Sequence, residues 1–207
     1  MSHPLLRLFG DAADGRFPPV DGGVTVTPAL PRGLEASVAF TGHAVIATAL
    51  DAGQVARRAA DGFGASLAPD FLRWLAGPHG HIGTIDATLF ARGTGGPQRI
   101  PRADSVDHPR VRHARELRDN VRVYRDERGL ITLSDGLAGR RELSIEIDTD
   151  AGTGHGRALL RDALSLVPAG QPVFAAVSPG NARSLRAFLA TGFTPIGSET
   201  ILRPARG

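Results

Sequence analysis

Apolar and polar positions alternate in a β-like manner from Val24 onward. Before that point only Pro4 to Phe9 is apolar, and the following residues are rich in glycine, aspartate and proline. We therefore expect residues 1–23 to form a flexible N-terminal tail. A β-hairpin is predicted over residues 35–50, with its turn at residues 41–43.

Helix and strand signals continue to residue 92. Asp51, with Gln54 in the capping-box position, predicts a helix that runs to residue 60. A broad apolar stripe predicts a second helix over residues 70–76. Residues 83–92 are a further strand candidate. Glycine, proline and arginine dominate residues 93–107, which form the best internal boundary in the chain.

The second half of the chain has a clearer pattern of short elements. A helix over residues 108–119 precedes three strands, at 121–126, 130–134 and 142–148, and the last of these alternates strictly between apolar and polar positions. The remaining predicted elements are a helix at 156–167, a strand at 172–177, a helix at 181–191 and short strands at 194–196 and 200–202. Sequential antiparallel strands followed by one β-α-β crossover predict an α+β fold with a mixed, mostly antiparallel sheet flanked by helices.

Composition narrows the chemistry that the chain can perform. All 24 basic residues are arginine, against 21 acidic residues, so the net charge is only +3. The absence of lysine excludes a Walker phosphate loop and Schiff-base chemistry. The absence of cysteine excludes a disulfide scaffold, a thiolate zinc site and a cysteine nucleophile. The seven histidines show no metal-ligand spacing, so no metal is expected.

The arginines do not indicate a nucleic-acid surface. Between Arg99 and Arg128 they alternate with acidic residues, which favours a solvated, salt-bridged face over a surface for RNA or acidic proteins. No apolar run reaches the length of a membrane span, and the N-terminus does not resemble a signal peptide. We expect a cytoplasmic protein without a membrane partner.

A glycine-rich loop carries the most informative chemistry. Gly152, Gly154 and Gly156 follow the predicted strand at 142–148 and lead directly into a helix. Glycines allow close approach of a ligand to the backbone, and a helix start offers unpaired N–H donors, so this pattern is typical of a phosphate site. Arg157 would add a cation. A tight strand-to-helix turn without a ligand is the alternative. A Rossmann site is disfavoured, because no acidic residue closes the next strand.

Two motifs here resemble those of the GCN5-related N-acetyltransferase (GNAT) superfamily. The family loop Arg/Gln-x-x-Gly-x-Gly/Ala corresponds to residues 151–156, and the family pattern Asn-x-x-Ala/Ser corresponds to Asn181 and Ser184. Gly192 and Phe193 match the Gly-Phe that closes the family's next helix. The resemblance covers about residues 118 to 203.

The resemblance implies an acetyl-CoA site in a V-shaped opening between the strands at 142–148 and 172–177. The backbone of Ile145 and Ile147 would hold the pantetheine arm, and Asn181 and Ser184 would lie beside it. The pyrophosphate would be held by the loop, which comprises Gly152, Thr153, Gly154, His155, Gly156 and Arg157. On this view residues 108–207 are a GNAT-like core, and residues 24–107 form an N-terminal α/β region that shapes the acceptor side.

The chain departs from the family pattern at two positions. Ala151 stands where the family has arginine or glutamine, and Phe188 stands where a tyrosine often protonates the departing thiolate. A general base is also required, and Glu142 and Glu146 are the candidates because they share the polar face of one strand. The alternative for these carboxylates is a solvent-facing strand edge or a salt bridge to Arg140 or Arg141.

The resulting hypothesis is an N-acetyltransferase that moves an acetyl group from acetyl-CoA to the amine of a small molecule or protein by direct attack. The alternative is an acyl-CoA-binding or sensing protein of the same fold without efficient turnover. A third, weaker interpretation is an interaction module with an arginine surface. The sequence does not identify the acceptor, and it leaves a homodimer open.

Overall fold

The computed structural model describes residues 2–58, 60–148 and 154–206. They form two compact units, the first made of Met1–Thr88 with Pro195–Gly207 and the second of Leu89–Thr194. The chain passes between the units inside one strand, at residues 88–89, and again near the start of its last strand. The boundary expected at residues 93–107 therefore falls inside the second unit, and residues 195–207 belong with the first.

The helices are α1 (Pro4–Ala13), α2 (Ala52–Ala56), α3 (Pro69–Ala76), α4 (Pro109–Leu117), α5 (His155–Ser165) and α6 (Ala182–Leu189). The strands are β1 (Val24–Thr27), β2 (Glu35–Phe40), β3 (His43–Ala47), β4 (His81–Ile82), β5 (Asp86–Arg92), β6 (Asp119–Asp126), β7 (Gly129–Asp135), β8 (Arg141–Ile147), β9 (Pro172–Val177) and β10 (Thr194–Arg203).

In the first unit the strand order is β1-β3-β2-β10, and β4 also pairs with β10. β1 and β3 are parallel, and the other described pairs are antiparallel. The predicted hairpin is confirmed as β2 and β3. The predicted capping box of Asp51 and Gln54 is confirmed as well, but α2 ends at Ala56 rather than at residue 60.

The expected N-terminal tail is wrong for residues 4–13, which form α1. His3 caps this helix by accepting a hydrogen bond from the Leu5 N–H, and Pro4 occupies the first helical turn, where its missing N–H has no cost. Leu5 and Phe9 lie one turn apart and are fully buried. The Phe9 ring centre lies 6.0 Å from that of Phe40 on β2, so α1 packs on the sheet.

In the second unit the strand order is β5-β9-β8-β7-β6. The three predicted central strands are confirmed, and β6, β7 and β8 pair antiparallel in sequence order. α5 connects β8 to β9, which are parallel. α4 packs on one face of this sheet, where Val111 joins a buried cluster with Val123 and Leu130.

The two short strands expected at the end of the chain form one continuous strand, β10. Gly197 lies between the two predicted strands, and in the structure it is part of β10 and runs beside β2. A side chain at this position would meet the Ala39 carbonyl oxygen at 2.3 Å, so the glycine serves a close approach of two backbones.

The fold is therefore α+β, with mixed and largely antiparallel strands flanked by helices. Within the described residues, no helix combines the length and apolar character needed to cross a membrane.

Candidate functional site

β8 and β9 separate after a short parallel contact. Among the described residues their pairing is confined to one position, Glu142 against Phe174. The C-terminal half of β8 therefore pairs on one side only, with β7, and Ile145 and Ile147 are only partly buried.

Hydrogen bonds to β7 show which way the backbone of β8 points. The Arg140 carbonyl accepts a bond from Gly136 N–H at 2.8 Å, and Asp148 N–H donates to Arg128 at 3.1 Å, so even-numbered residues face β7. Main-chain groups alternate along a strand, so those of Ile145 and Ile147 face the side on which β9 diverges. They form an unpaired strand edge of the kind that can accept an extended ligand.

Helix α5 begins beside this edge. Gly154 precedes it with φ +88°, the left-handed region that favours glycine, and no side chain caps the helix start. A Cβ added at Gly154 would meet nothing within 4 Å, and one at Gly156 would meet only Ile147, at 3.7 Å. Gly152, Thr153 and Ala151 lie outside the described residues.

Among the described residues, the first bond of the helix runs from the Ala158 N–H to the Gly154 carbonyl. The N–H groups of His155, Gly156 and Arg157 precede it, in the first turn, where an α-helix has no intrahelical acceptor. The Arg157 side chain is exposed. These groups together form a positive helix terminus with a cation nearby, as an anion site requires.

An ion-pair cluster joins α5 to the β6–β7 hairpin. Arg128 binds Asp126 at 2.6 Å and Asp162, on α5, at 2.8 Å. Burial raises the pKa of Asp126, but hydrogen bonds from Arg128 outweigh it and the pKa falls below its usual value, with His155 adding a smaller effect. The Nδ1 atom of His155 is buried and has no hydrogen-bond partner among the described residues. His155, the first residue of α5, therefore lies close to the Asp126 carboxylate of this cluster.

Glu142, the first candidate base, is buried in an ion-pair network. Arg118 binds its Oε1 at 2.6 Å, while Arg140 lies 3.5 Å from its Oε2 and the Leu137 N–H donates to the same oxygen at 3.1 Å. Burial raises the pKa of Glu142, but the two arginines and this N–H outweigh it, so the pKa lies below the usual range. A carboxylate so stabilised and so enclosed is a poor proton acceptor.

Glu146, the second candidate, is far more accessible. Its side chain is 39% exposed and pairs with Arg110, itself 40% exposed. Both partners of these glutamates come from one helix, since Arg110 lies in the first turn of α4 and Arg118 caps its end. The eight residue steps from Arg110 to Arg118 span about 12 Å of helix, and the four residue steps from Glu142 to Glu146 span about 13 Å of strand. Because the two lengths match, the two ion pairs hold α4 lengthwise along β8.

The second family motif has a structural role in α6. Asn181 is the N-cap, and its side chain accepts a hydrogen bond from Ser184 N–H at 3.1 Å. Phe188 is buried, and its ring lies edge-on to Phe193 with the centres 4.8 Å apart. In this motif, helix capping accounts for Asn181 and ring packing accounts for Phe193.

The arginine-rich segment forms ion pairs, as expected. Arg102 binds Asp104, and Arg112 binds Asp107, on exposed side chains. Glu142 pairs with Arg140, one of the arginines expected from the sequence, while Arg141 binds Asp135. The described residues contain no group of three or more histidine, aspartate or glutamate side chains suited to a metal ion.

No protein-family model and no curated protein matches the chain. Among solved structures, the chain is similar to a functionally unknown conserved protein from Staphylococcus epidermidis ATCC 12228, with 9% sequence identity and a TM-score of 0.39. The match covers 66% of this chain and 67% of that chain.

Proposed function

We propose that the protein is an N-acetyltransferase of the GNAT type, with acetyl-CoA bound in the second unit. The observation that carries the proposal is the unpaired edge of β8 at Ile145 and Ile147, directly beside the uncapped, glycine-led start of α5. An extended pantetheine arm would add to this edge as a strand adds to a sheet. The pyrophosphate would take the N–H groups at the start of α5, with Arg157 as its cation.

Glu146 is the general base in this proposal, and Glu142 is not. A base must reach the substrate and accept a proton, and Glu146 is exposed and held by one exposed arginine. Glu146 takes the proton of the acceptor ammonium, the amine nitrogen attacks the thioester carbon, and the carbon–sulfur bond breaks. The attacking nitrogen loses its remaining extra proton, which water relays to the departing thiolate, since Phe188 has no proton to give. Backbone N–H groups of β8 stabilise the oxyanion.

The second candidate function is acyl-CoA binding without efficient turnover. Three observations favour it: Glu142 is enclosed, Glu146 is engaged by Arg110, and Phe188 is packed against Phe193. Each of them removes an acid or base from the reaction, but none of them affects the binding elements.

Calorimetric titration with acetyl-CoA tests the shared part of both functions. We expect binding in the micromolar range, and its absence at tens of micromolar would exclude both. Release of free thiol with a panel of amines then separates them. Tight binding with a blank panel supports the sensor. Turnover that is lost in Glu146→Gln and kept, per folded molecule, in Glu142→Gln supports the transferase.

Gly156→Asp tests the anion site more cleanly than a change at Gly154, whose left-handed backbone disfavours any side chain. The added Cβ at Gly156 meets only ordinary contacts, and an aspartate in the first turn stabilises a helix, so the fold is retained. We expect acetyl-CoA affinity to fall at least tenfold. Arg161→Gln, an equal charge change at an exposed site on the same helix, is the control and should retain affinity.

A further inference from the structure

Three polar side chains of the first unit line up where β1 and β3 run side by side. Asp21 precedes β1, Thr25 lies within it, and His43 begins β3. The Nδ1 atom of His43 lies 2.8 Å from Asp21 Oδ1, and its Nε2 atom lies 2.9 Å from Thr25 Oγ1. The parallel register, which places Val24 opposite Ala44, brings these distant sequence positions together.

The proton positions in this line follow from the partners. The pKa of Asp21 is lowered by hydrogen bonds from His43 and from the Gly23 N–H, so the side chain is an ionised acceptor. His43 then donates from Nδ1 to Asp21, and in the neutral tautomer that does so Nε2 is an acceptor. In that tautomer the Thr25 hydroxyl donates its hydrogen bond to His43 Nε2. This is the arrangement of a nucleophile, a base and a carboxylate that orients the base.

Exposure suits these roles. His43 is 8% exposed, so its ring is held in place, whereas Thr25 is an exposed residue. The buried Nε2 atom of His43 needs a hydrogen-bond partner, and the partner present is the Thr25 hydroxyl. The bond that satisfies the ring therefore also places a base beside a hydroxyl of a surface residue.

Two exposed apolar side chains lie beside the group. Phe63 is 71% exposed and lies against Gly22, next to Asp21 in the chain. Val20 is 68% exposed and lies against Gly42, next to His43. Large exposed apolar residues of this kind commonly mark a binding surface when they cluster. Here the two side chains lie against the residues that adjoin Asp21 and His43 in the chain, where they offer an apolar surface beside the group.

We propose that Asp21, His43 and Thr25 form an acyl-transfer site that hydrolyses small carboxylic esters with an apolar or aromatic group. His43 takes the Thr25 proton as Thr25 Oγ1 attacks the ester carbon. The ester bond breaks, and the alcohol leaves with that proton. Water then attacks the acyl-threonine and gives a proton to His43, which passes that proton to Thr25 Oγ1 as a carboxylic acid is released. The site belongs to the first unit and is independent of the acetyl-CoA proposal.

The sheet edge supplies a donor for the oxyanion. The Ala44 N–H donates to the Gly23 carbonyl at 3.0 Å, so odd-numbered residues of this segment face β3. The N–H of Val26, directly after Thr25, consequently faces the outer edge of the sheet, where β1 is the last strand of the order. A backbone N–H after the nucleophile is a common member of an oxyanion hole.

The test uses the full chain with p-nitrophenyl acetate and p-nitrophenyl butyrate. We expect p-nitrophenol release above the background of buffer. Thr25→Val and His43→Gln should each lower the rate about a hundredfold, the scale of one general base. Thr25→Ser keeps a hydroxyl and should retain the rate. Thr41→Val changes an exposed threonine close to His43 and should leave the rate unchanged.

The acylated residue provides a second readout. After brief reaction and acid quenching, cleavage at arginine yields a fragment over residues 17–32, and fragmentation should locate the acetyl group on Thr25. Acetyl found on a histidine or the N-terminus instead, or a rate that survives Thr25→Val, would overturn the proposal, because the imidazole would then act as the nucleophile. Circular dichroism of each variant separates a lost site from a lost fold.

Discussion

Replacing Glu142 by glutamine tests whether this carboxylate is a buried counter-ion. The side chain is 4% exposed, and its arginine partners are 15% exposed at Arg118 and fully buried at Arg140. Glutamine keeps the shape but removes the charge, so two largely buried guanidinium groups lose this carboxylate as a counter-ion. Breaking a buried pair in this way typically costs about 3–5 kcal/mol, so we expect a loss of that size from the stability of the second unit.

Glu146→Gln is the matched control, since it is the same substitution on the same face of β8. Its pair with Arg110 is about two-fifths exposed on both sides, so solvent screens it and the expected loss is below about 1 kcal/mol. Hydrogen exchange of the β7 and β8 amides measures the stability of the second unit. Urea unfolding followed by Trp74, the single tryptophan, reports the first unit and should change little.

The same interaction predicts a pH dependence. The pKa of Glu142 is lower in the folded chain than the value of about 4.3 expected when unfolded. The ionised Glu142 carboxylate therefore contributes its full share to the free energy of unfolding above that value. This contribution is lost as the pH falls through the lower pKa of the folded chain. Below this range the difference between wild type and Glu142→Gln should shrink. Equal losses for the Glu142 and Glu146 variants at pH 7 would refute the assignment.

Three further changes test the packing around the two sites. Gly129→Ala should lower the free energy of unfolding by at least about 2 kcal/mol, because φ is +144° and the new Cβ would meet the Glu146 carbonyl oxygen at 2.0 Å. Its control, Gly139→Ala, has a positive φ but open space, so the loss should be only about 1 kcal/mol. Thermal unfolding measures both. Arg128→Met should cost about 2 kcal/mol, since Asp126 and Asp162 lose the guanidinium that joins them, and unchanged hydrogen exchange of the β7 amides would contradict the role of this cluster. Asp51→Ala should cost about 1 kcal/mol by removing the cap of α2, whereas Asp51→Asn should restore most of it.

Elements with strong local patterns were predictable from the sequence. β9 has the predicted limits, and the alternation of Leu143, Ile145 and Ile147 identified β8. The missed helix α1 also had a signal: Leu5, Phe9, Ala12 and Ala13 follow helical spacing after His3 and Pro4. The glycine and proline content of the next residues led the prediction away from a helix.

Features that depend on pairing between distant segments were not predictable. Nothing in the local sequence links Asp21 to His43, because the parallel alignment of β1 and β3 creates their contact. The environment of Glu142 was missed for the same reason. Its neighbour Arg140 was a candidate partner, but Arg118 reaches it only because α4 lies along β8. Strand alternation predicts a face, but it does not predict which helix covers that face.

The first unit is built from two separate segments of the chain, and this has a consequence for synthesis on the ribosome. β10, which pairs with β2, is made after nearly all of the second unit. From Phe40 to Thr194 the chain grows by 194 − 40 = 154 residues, so β2 waits for its neighbour on the order of 8–30 s. The buried Glu35 likewise waits for its cation, Arg206. Meanwhile the nascent first unit exposes a strand edge open to wrong partners. Residues 89–194 are contiguous and meet no such delay, so the nascent chain should complete the second unit first.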